Sequence, residues 1–294
     1  MKDKRIVIIG MGVVGTALGI SLKRLQYNLV GVYRRNIVLG EELSRKWDLP
    51  FNEDLSSMVK SSDWIFIATP DGSIQSVLDH LIDCKALKEG QTLVHLSGAL
   101  TSEILIKARL LGLKVMSFHP LQSFASVEKA IFDLSNCYFA LEGDQEVVEE
   151  AKVFVKEIGA RYLELCRENK VLYHLAAVMA SNYLVTLSFW AQEAFKAAGL
   201  KSQDTEALIP LMKSVLHNLE ILTPSQALTG PIARGDIGTI MAHLGALEEK
   251  NLRELTKVYA TLGKYTLPVA GARGILSKDL FNEMERAFDQ IKEG

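Results

Sequence analysis

Residues 10–15 read Gly10-Met11-Gly12-Val13-Val14-Gly15, directly after the apolar run Arg5–Ile9. This glycine turn constrains the chain more than any other feature. Alone, the string G-x-G-x-x-G is weak; a strand before it and a helix after it give it meaning. Here Val13–Leu25 carries helical periodicity. In such a turn the first glycine permits the sharp bend, the second lets the backbone approach a pyrophosphate, and the third lets helix and strand pack closely. The helix start adds free N–H groups and a positive dipole end. Gly10, Gly12, Val13, Val14 and Gly15 are therefore expected to seat a dinucleotide. The alternative is a strand–helix turn with no ligand.

The alternation continues downstream. Asn28–Tyr33, Trp64–Ala68, Thr92–Leu96 and Lys114–Phe118 read as strands, with helical stretches near Ile37–Lys46, Ser73–Leu81 and Ser102–Leu111 between them. Near-continuous apolar strands alternating with helices predict a doubly wound, mainly parallel sheet. Cys137–Leu141, a helix over Gln145–Ile158 and Arg161–Leu165 extend it. After Glu168 the pattern turns all-helical: Asn169–Ala198, Thr205–Leu222, Ile237–Glu249 and Asn251–Leu262. Asn251 stands where an N-cap is wanted and Gly199 where a C′ glycine is wanted. The fold class is thus an α/β domain, residues 1–166, followed by an all-α domain, residues 167–294.

Composition excludes some function classes. The 294 residues are 48% hydrophobic with a formal net charge of −2. No basic excess points to nucleic acid or an anionic membrane. Cys84, Cys137 and Cys166 are sparse and lack metal-ligand spacing, which suits a reducing, cytoplasmic setting without a metal site. The N-terminal apolar run is broken by glycines and has no cleavage site, so it reads as a strand rather than a signal peptide. Val171–Ala191 contains no Asp, Glu, Lys or Arg, and approaches the ~20 residues that span a bilayer. It also carries His174, Ser181, Asn182, Thr186 and Ser188, which suits a buried helix at a domain or subunit interface. A homodimer through the C-terminal helices is expected, and no membrane association.

The second strand ends in Tyr33-Arg34-Arg35-Asn36. An NAD-preferring site usually has a carboxylate there, on the ribose 2′-hydroxyl. Two guanidinium groups and no carboxylate suit a 2′-phosphate, so the expected cofactor is NADP(H). One or both arginines could instead be merely solvated. Thr69-Pro70 and Ser97-Gly98 follow the third and fourth strands, where ligands bind in open α/β sheets, and are expected on the nicotinamide side. Capping by Asp71 or Ser73 is compatible with that.

Three further groups suggest substrate chemistry. His119 follows the fifth strand and could donate a proton, or simply tie its loop together. Lys170 and His174 share a helical face, with Ser181 on that face and Asn182 on its flank. This polar stripe faces either a catalytic cleft or a hydrogen-bonded helix contact. Thr229-Gly230-Pro231 through Arg234-Gly235-Asp236 is the third. Arg234 could clamp a carboxylate, while Asp236 reads as a helix cap.

Taken together, these motifs, with Tyr173-His174-Leu175-Ala176-Ala177, resemble a family of Rossmann-like oxidoreductases whose C-terminal half is a domain of unknown function. That family sits in the 6-phosphogluconate-dehydrogenase-like superfamily, alongside ketopantoate reductases, β-hydroxyacid dehydrogenases, pyrroline-5-carboxylate reductases and prephenate dehydrogenases. The resemblance covers essentially the whole chain. It implies an all-α domain after a Rossmann domain, NADP use, a cleft between domains and frequent dimerisation. Lys170 matches the lysine of β-hydroxyacid dehydrogenases, but His174 stands where their asparagine would be, so their detailed mechanism does not carry over. The His119-Pro120 turn is similar to that of prephenate dehydrogenases, without the rest of their signature. The expectation is hydride transfer from NADPH to a small 2-oxo or imino acid, with a ketopantoate-like substrate leading. Lys170, His174 and His119 are the expected catalytic residues; Asn182, Ser181, Arg234, Ser97 and Thr229 the expected substrate contacts. The alternatives are a non-catalytic NADP-binding redox sensor and a prephenate-type dehydrogenase.

Overall fold

The computed structural model describes residues 2–274 and 276–289. Its contacts divide the chain after Ser181 into two compact units.

The first unit is a seven-stranded sheet of order β2-β1-β3-β4-β5-β6-β7. The strands are β1 (Ile6–Ile9), β2 (Leu29–Tyr33), β3 (Trp64–Ile67), β4 (Thr92–His95), β5 (Lys114–Leu121), β6 (Tyr138–Gly143) and β7 (Arg161–Glu164). All neighbours run parallel except β5 and β6. The helices between them are α1 (Val13–Arg24), α2 (Ile37–Trp47), α3 (Leu55–Lys60), α4 (Asp71–Asp83), α5 (Ile106–Leu110), α6 (Val127–Asp133) and α7 (Gln145–Glu157); α8 (Lys170–Ala180) closes the unit.

Strand side chains alternate between the faces, and this builds two cores. Ile6, Ile8, Trp64, Phe66, Val94 and Phe118 pack with α1 and α7 residues such as Leu18, Leu22 and Phe154. Val7, Ile9, Ile65, Ile67, Leu93 and Val115 pack on the other face with Met58 and Val59 of α3 and Ile74, Leu78 and Leu81 of α4. A strand buried on both faces must be apolar throughout, which is why these runs lack a polar alternation.

The second unit is helical: α9 (Asn182–Ala197), α10 (Leu208–Ile221), α11 (Pro224–Ala227), α12 (Pro231–Arg234), α13 (Ile237–Glu249), α14 (Arg253–Gly271) and α15 (Lys278–Asp289). Its core joins Ile240 and Leu244 to Ala260, Leu267, Met284 and Phe288.

Several boundaries differ from the sequence expectation. The single helix over Asn169–Ala198 is two, because Ser181 leaves helical geometry at φ −115°. Its Oγ bonds back to the Ala177 carbonyl at 2.7 Å, a local bond that competes with the helix ladder. The helix from Thr205 begins instead as a 3₁₀ segment, Ser202–Ala207. Asn251 does not cap the next helix: it is left-handed at φ 55°, and Leu252 is the N-cap. Gly199 takes the expected left-handed conformation, φ 89°.

The apolar helix is not buried within the chain. Arg167–Ala197 is long and apolar enough to cross a membrane by length and composition, and none of its most apolar window is buried. Val171, Leu172, Met179, Tyr183, Val185 and Phe189 are all more than half exposed.

Candidate active site

The glycine turn forms as its spacing requires. Gly10 has φ 113°, and a Cβ there would lie 2.6 Å from the Ala68 carbonyl oxygen. A Cβ on Gly15 would lie 2.1 Å from the Gly10 carbonyl oxygen. At Gly12 a Cβ would meet nothing within 4 Å, so this glycine opens a space at the start of α1, where no side chain caps the helix.

That space belongs to a cavity of about 640 Å³ along the carboxyl edge of β1, β2 and β3. Gly10, Met11 and Gly12 line it, with Arg34, Arg35 and Asn36 beyond β2, Thr69 and Pro70 beyond β3, and Ser73, Ser76, Val77 and His80 on α4. No Asp or Glu is among the lining residues. Arg34 donates from Nη1 to the Met11 carbonyl at 2.6 Å. Its Nε, like Thr69 Oγ1, is buried without a hydrogen-bond partner. Buried polar atoms are rarely left unpaired. A glycine-lined cradle, donors without acceptors and no carboxylate fit the anionic adenosine half of a dinucleotide.

A second cavity, about 170 Å³, shares Ala68 and Thr69 with the first and continues along the edge between Val14, Leu96, His119, Gln122 and Phe124. His119 stands at its wall, although not just past a strand end as its sequence suggests. β5 runs on through His119-Pro120 because β6 pairs with it antiparallel, His119 opposite Ala140 and Pro120 opposite Phe139. The parallel pairing with β4 stops at His95 and Ser117, so on that side His119 still projects past the sheet edge.

The imidazole of His119 is held at one nitrogen and leaves the other free over Gly98. Nδ1 lies 2.8 Å from the Tyr173 hydroxyl. Nε2 lies over Gly98, where a Cβ would come within 2.7 Å of it and within 3.0 Å of His174 Cδ2. Only a residue without a side chain lets the two imidazoles converge there. Burial, then the nearby Lys170 charge and then His174 lower the His119 pKa to about 4. Burial raises the Tyr173 hydroxyl to about 12. At neutral pH the pair is a neutral imidazole and a protonated phenol.

Lys170 is fully buried and lines neither cavity. Its ammonium bonds to Ser117 Oγ, two residues before His119 and on the same strand face. Burial lowers its pKa to about 8, against the opposing pull of Glu142 and then Asp71. Glu142 is itself buried and accepts from the Ser102 backbone N–H at 2.7 Å and its hydroxyl at 2.6 Å. Lys170 is thus placed to act through its charge and through Ser117 rather than by direct proton donation.

Ser97 also departs from expectation. Its hydroxyl donates to Asp71 Oδ2 at 2.7 Å and accepts from the N–H groups of Ala99 and Leu100. One donor and two acceptors exhaust a hydroxyl, so Ser97 locks the β3 and β4 turns together and has nothing left for substrate. Asp71 serves that lock; it does not cap α4, whose N-cap is Pro70. The Ser97 N–H donates to His95 Nδ1, and His95 Nε2 faces the Thr101 carbonyl at 3.1 Å. A carbonyl cannot donate, so the proton sits on Nε2. Burial, then Lys170, lowers the His95 pKa to about 3.

The first unit therefore gathers Thr69, Ser97, Gly98, His119, Lys170 and His174 at one edge. Tyr173 and His95 join them, though the residues alone did not single them out for a role. Tyr173, three residues after Lys170, lay on the same stripe and could have been found. Ser181 ends this unit and is exposed; Asn182, Thr229 and Arg234 belong to the second. There Arg234 and Thr229 are exposed. Asp236 is the expected cap of α13, accepting from the Thr239 N–H at 3.0 Å.

Fold and edge define a dinucleotide-binding α/β unit joined to a helical unit. The family model of the Rossmann-like domain matches residues 2–120, and that of DUF2520, a domain of unknown function, matches residues 137–266. Together the two matches span most of the chain, a Rossmann-like domain followed by a DUF2520 region. Among solved structures it is similar to BF3122 of Bacteroides fragilis, provisionally described as an NADP oxidoreductase: 25% identity, TM-score 0.69, covering 86% of this chain and 96% of that one. The Thermotoga maritima protein TM1727 is 27% identical, TM-score 0.63, with 97% of each chain covered. An imine reductase from Myxococcus stipitatus, in complex with NADP+, shares the fold at 18% identity and TM-score 0.63, covering 95% of this chain and 99% of that one. A search of curated proteins finds no match.

Proposed function

We propose that the protein is an NADP(H)-dependent oxidoreductase that reduces the C=O or C=N bond of a small 2-oxo or imino acid, with a ketopantoate-like acid as the leading substrate. The observation that carries this reading is the neutral His119 imidazole, fixed by Tyr173 and aimed over Gly98 beside the smaller cavity. The likeness to an NADP oxidoreductase and to an imine reductase supports the cofactor and the reaction class.

The nicotinamide, when bound, supplies the hydride. The residues of this chain do the rest. The glycine turn and the free N–H groups of α1 hold the diphosphate, and Arg34 and Arg35 attract the 2′-phosphate. The Tyr173 hydroxyl donates to His119 Nδ1, which leaves the ring proton on Nε2. That N–H stabilises negative charge growing on the substrate oxygen or nitrogen, where a preorganised donor is most effective. Proton transfer from Nε2 to that atom is balanced by transfer from the Tyr173 hydroxyl to Nδ1, and half-buried Tyr173 regains its proton from solvent. His174 borders the same spot and orients the substrate. Burial, reinforced by the Lys170 charge, keeps the imidazole neutral.

The test is a fluorescence titration with NADPH and NADH, followed by ketopantoate, pyrroline-5-carboxylate and related oxo acids while cofactor absorbance is recorded. Preferential NADPH binding with consumption on one acid is expected. Tight NADPH binding with no consumption on any acid would instead support the redox-sensor alternative.

We propose also that two copies pair in the cytoplasm through the apolar faces of α9 and α10 in the second unit, where Val185, Leu211 and Ile221 are among the most exposed apolar side chains. Large exposed apolar patches mark interfaces. Sedimentation at micromolar concentration should give a dimer; a strict monomer, or recovery only with detergent, contradicts this.

A further inference from the structure

The larger cavity has a second wall to which the cofactor reading assigns no role. Strand order places β1 between β2 and β3, so the cavity lies over the β1 end with Arg34–Asn36 on one side and α4 on the other. From α4, Ser73, Ser76, Val77 and His80 line it, and steps of three and one set them on one helical stripe. The opposite face of α4 is spent in the core through Ile74, Leu78 and Leu81.

The polar groups on this wall are not equivalent. Ser76 Oγ donates to the Ser73 carbonyl at 2.9 Å, so it has no proton to offer a ligand. Asp79, next to His80, is engaged by Lys107 at 2.7 Å and Gln75 at 3.0 Å and does not line the cavity. The His80 ring is exposed and is among the cavity-lining side chains. It makes no hydrogen bond or ion pair among the described residues. Across the cavity, Arg34 already gives Nη1 to the Met11 carbonyl, which leaves that side one fully available guanidinium, Arg35.

We infer that His80 is a specificity residue for the cofactor: its imidazole N–H donates to the 2′-phosphate from α4, opposite Arg35, so that the phosphomonoester is gripped from two elements. This rests on the NADP(H) reading.

The test is equilibrium binding of NADPH, NADH, 2′,5′-ADP and 5′-AMP to the full chain and to His80→Ala and His80→Gln. A hydrogen bond to a charged group corresponds to roughly a tenfold change in affinity. His80→Ala should therefore weaken NADPH and 2′,5′-ADP by about tenfold and leave NADH and 5′-AMP unchanged; His80→Gln, which keeps a neutral donor, should recover part of the loss. An equal loss for all four ligands would mean a contact with adenine and would overturn the assignment. So would unchanged NADPH binding by His80→Ala in a protein that otherwise prefers NADPH. If the unsubstituted protein binds both nicotinamide cofactors equally, the NADP(H) reading fails and this inference fails with it.

Discussion

The two ends of the ligand-binding edge handle charge in opposite ways. At the adenosine end, Arg34 and Arg35 stand at a cavity with no carboxylate in its lining. At the other end His95 is buried and His119 is partly buried, and the Lys170 charge adds to burial in holding both rings neutral. The first arrangement suits capture, since exposed Arg35, with half-buried Arg34 beside it, attracts an anionic cofactor from a distance. The second serves chemistry, since a neutral imidazole with Tyr173 at Nδ1 keeps its single N–H on Nε2, preorganised toward the substrate. Substitutions at the two ends should therefore separate binding from turnover.

The largest effect should come from Gly15→Ala. Its Cβ would sit 2.1 Å from the Gly10 carbonyl oxygen, so either the turn opens or the helix shifts. Cofactor binding, followed by fluorescence, should fall by at least about 100-fold, as close helix–strand packing is what places the N–H groups. Retained binding would break the assignment of the first end. At the second end, His119→Ala should cut kcat by about 100-fold or more, in the range of a lost general acid, with NADPH affinity unchanged. A loss of affinity instead would erase the proposed division.

The contrast also predicts a pH response. His119 and His95 have folded pKa values of about 4 and about 3, below the unfolded value of about 6.5. Above pH 6.5 both states are neutral and contribute nothing. As pH falls below 6.5 the unfolded chain takes up protons that the folded chain does not, so stability drops. By pH 5 each histidine should cost about 2 kcal/mol, measurable by urea unfolding. Unchanged stability between pH 7 and 5 would show that the rings are not held neutral. Lys170→Met removes the charge that disfavours imidazolium, so the acid limb of the kcat/KM profile should move up from about pH 4. Tyr173→Phe removes both the Nδ1 partner and the proton that follows transfer from Nε2; it should still have the smallest effect, about tenfold on kcat, because the imidazole stays in place and solvent can reprotonate Nδ1.

How far these ends could be read in advance also differs. The adenosine end is built from short-range pieces: a glycine turn between an apolar run and a helix, and an arginine pair at a strand end. Spacing along the chain carries that information. The second end depends on contacts between distant segments. Tyr173 meets His119 across 54 residues, and nothing along β5 points to it. The stripe of Lys170 and His174 was visible as a helical face, yet periodicity does not say that Lys170 would turn inward onto Ser117 while His174 met Gly98. His95 sits in a run that reads as an ordinary buried strand. His119 reads as following a strand that ends at Phe118, but β5 runs on through His119 and Pro120 because β6 pairs antiparallel with them, a long-range pairing that local pattern does not show. Ser181 breaks its helix without the glycine or proline that normally signals a stop.

The most direct test of the account is NADPH oxidation driven by ketopantoate and by pyrroline-5-carboxylate, measured side by side for the unsubstituted protein and His119→Ala. The account predicts that one of these acids, or a close oxo or imino relative, drives oxidation, and that His119→Ala binds NADPH equally well but turns over about 100-fold more slowly or worse. NADPH bound tightly with no acid consuming it, or His119→Ala working at the full rate, would contradict it.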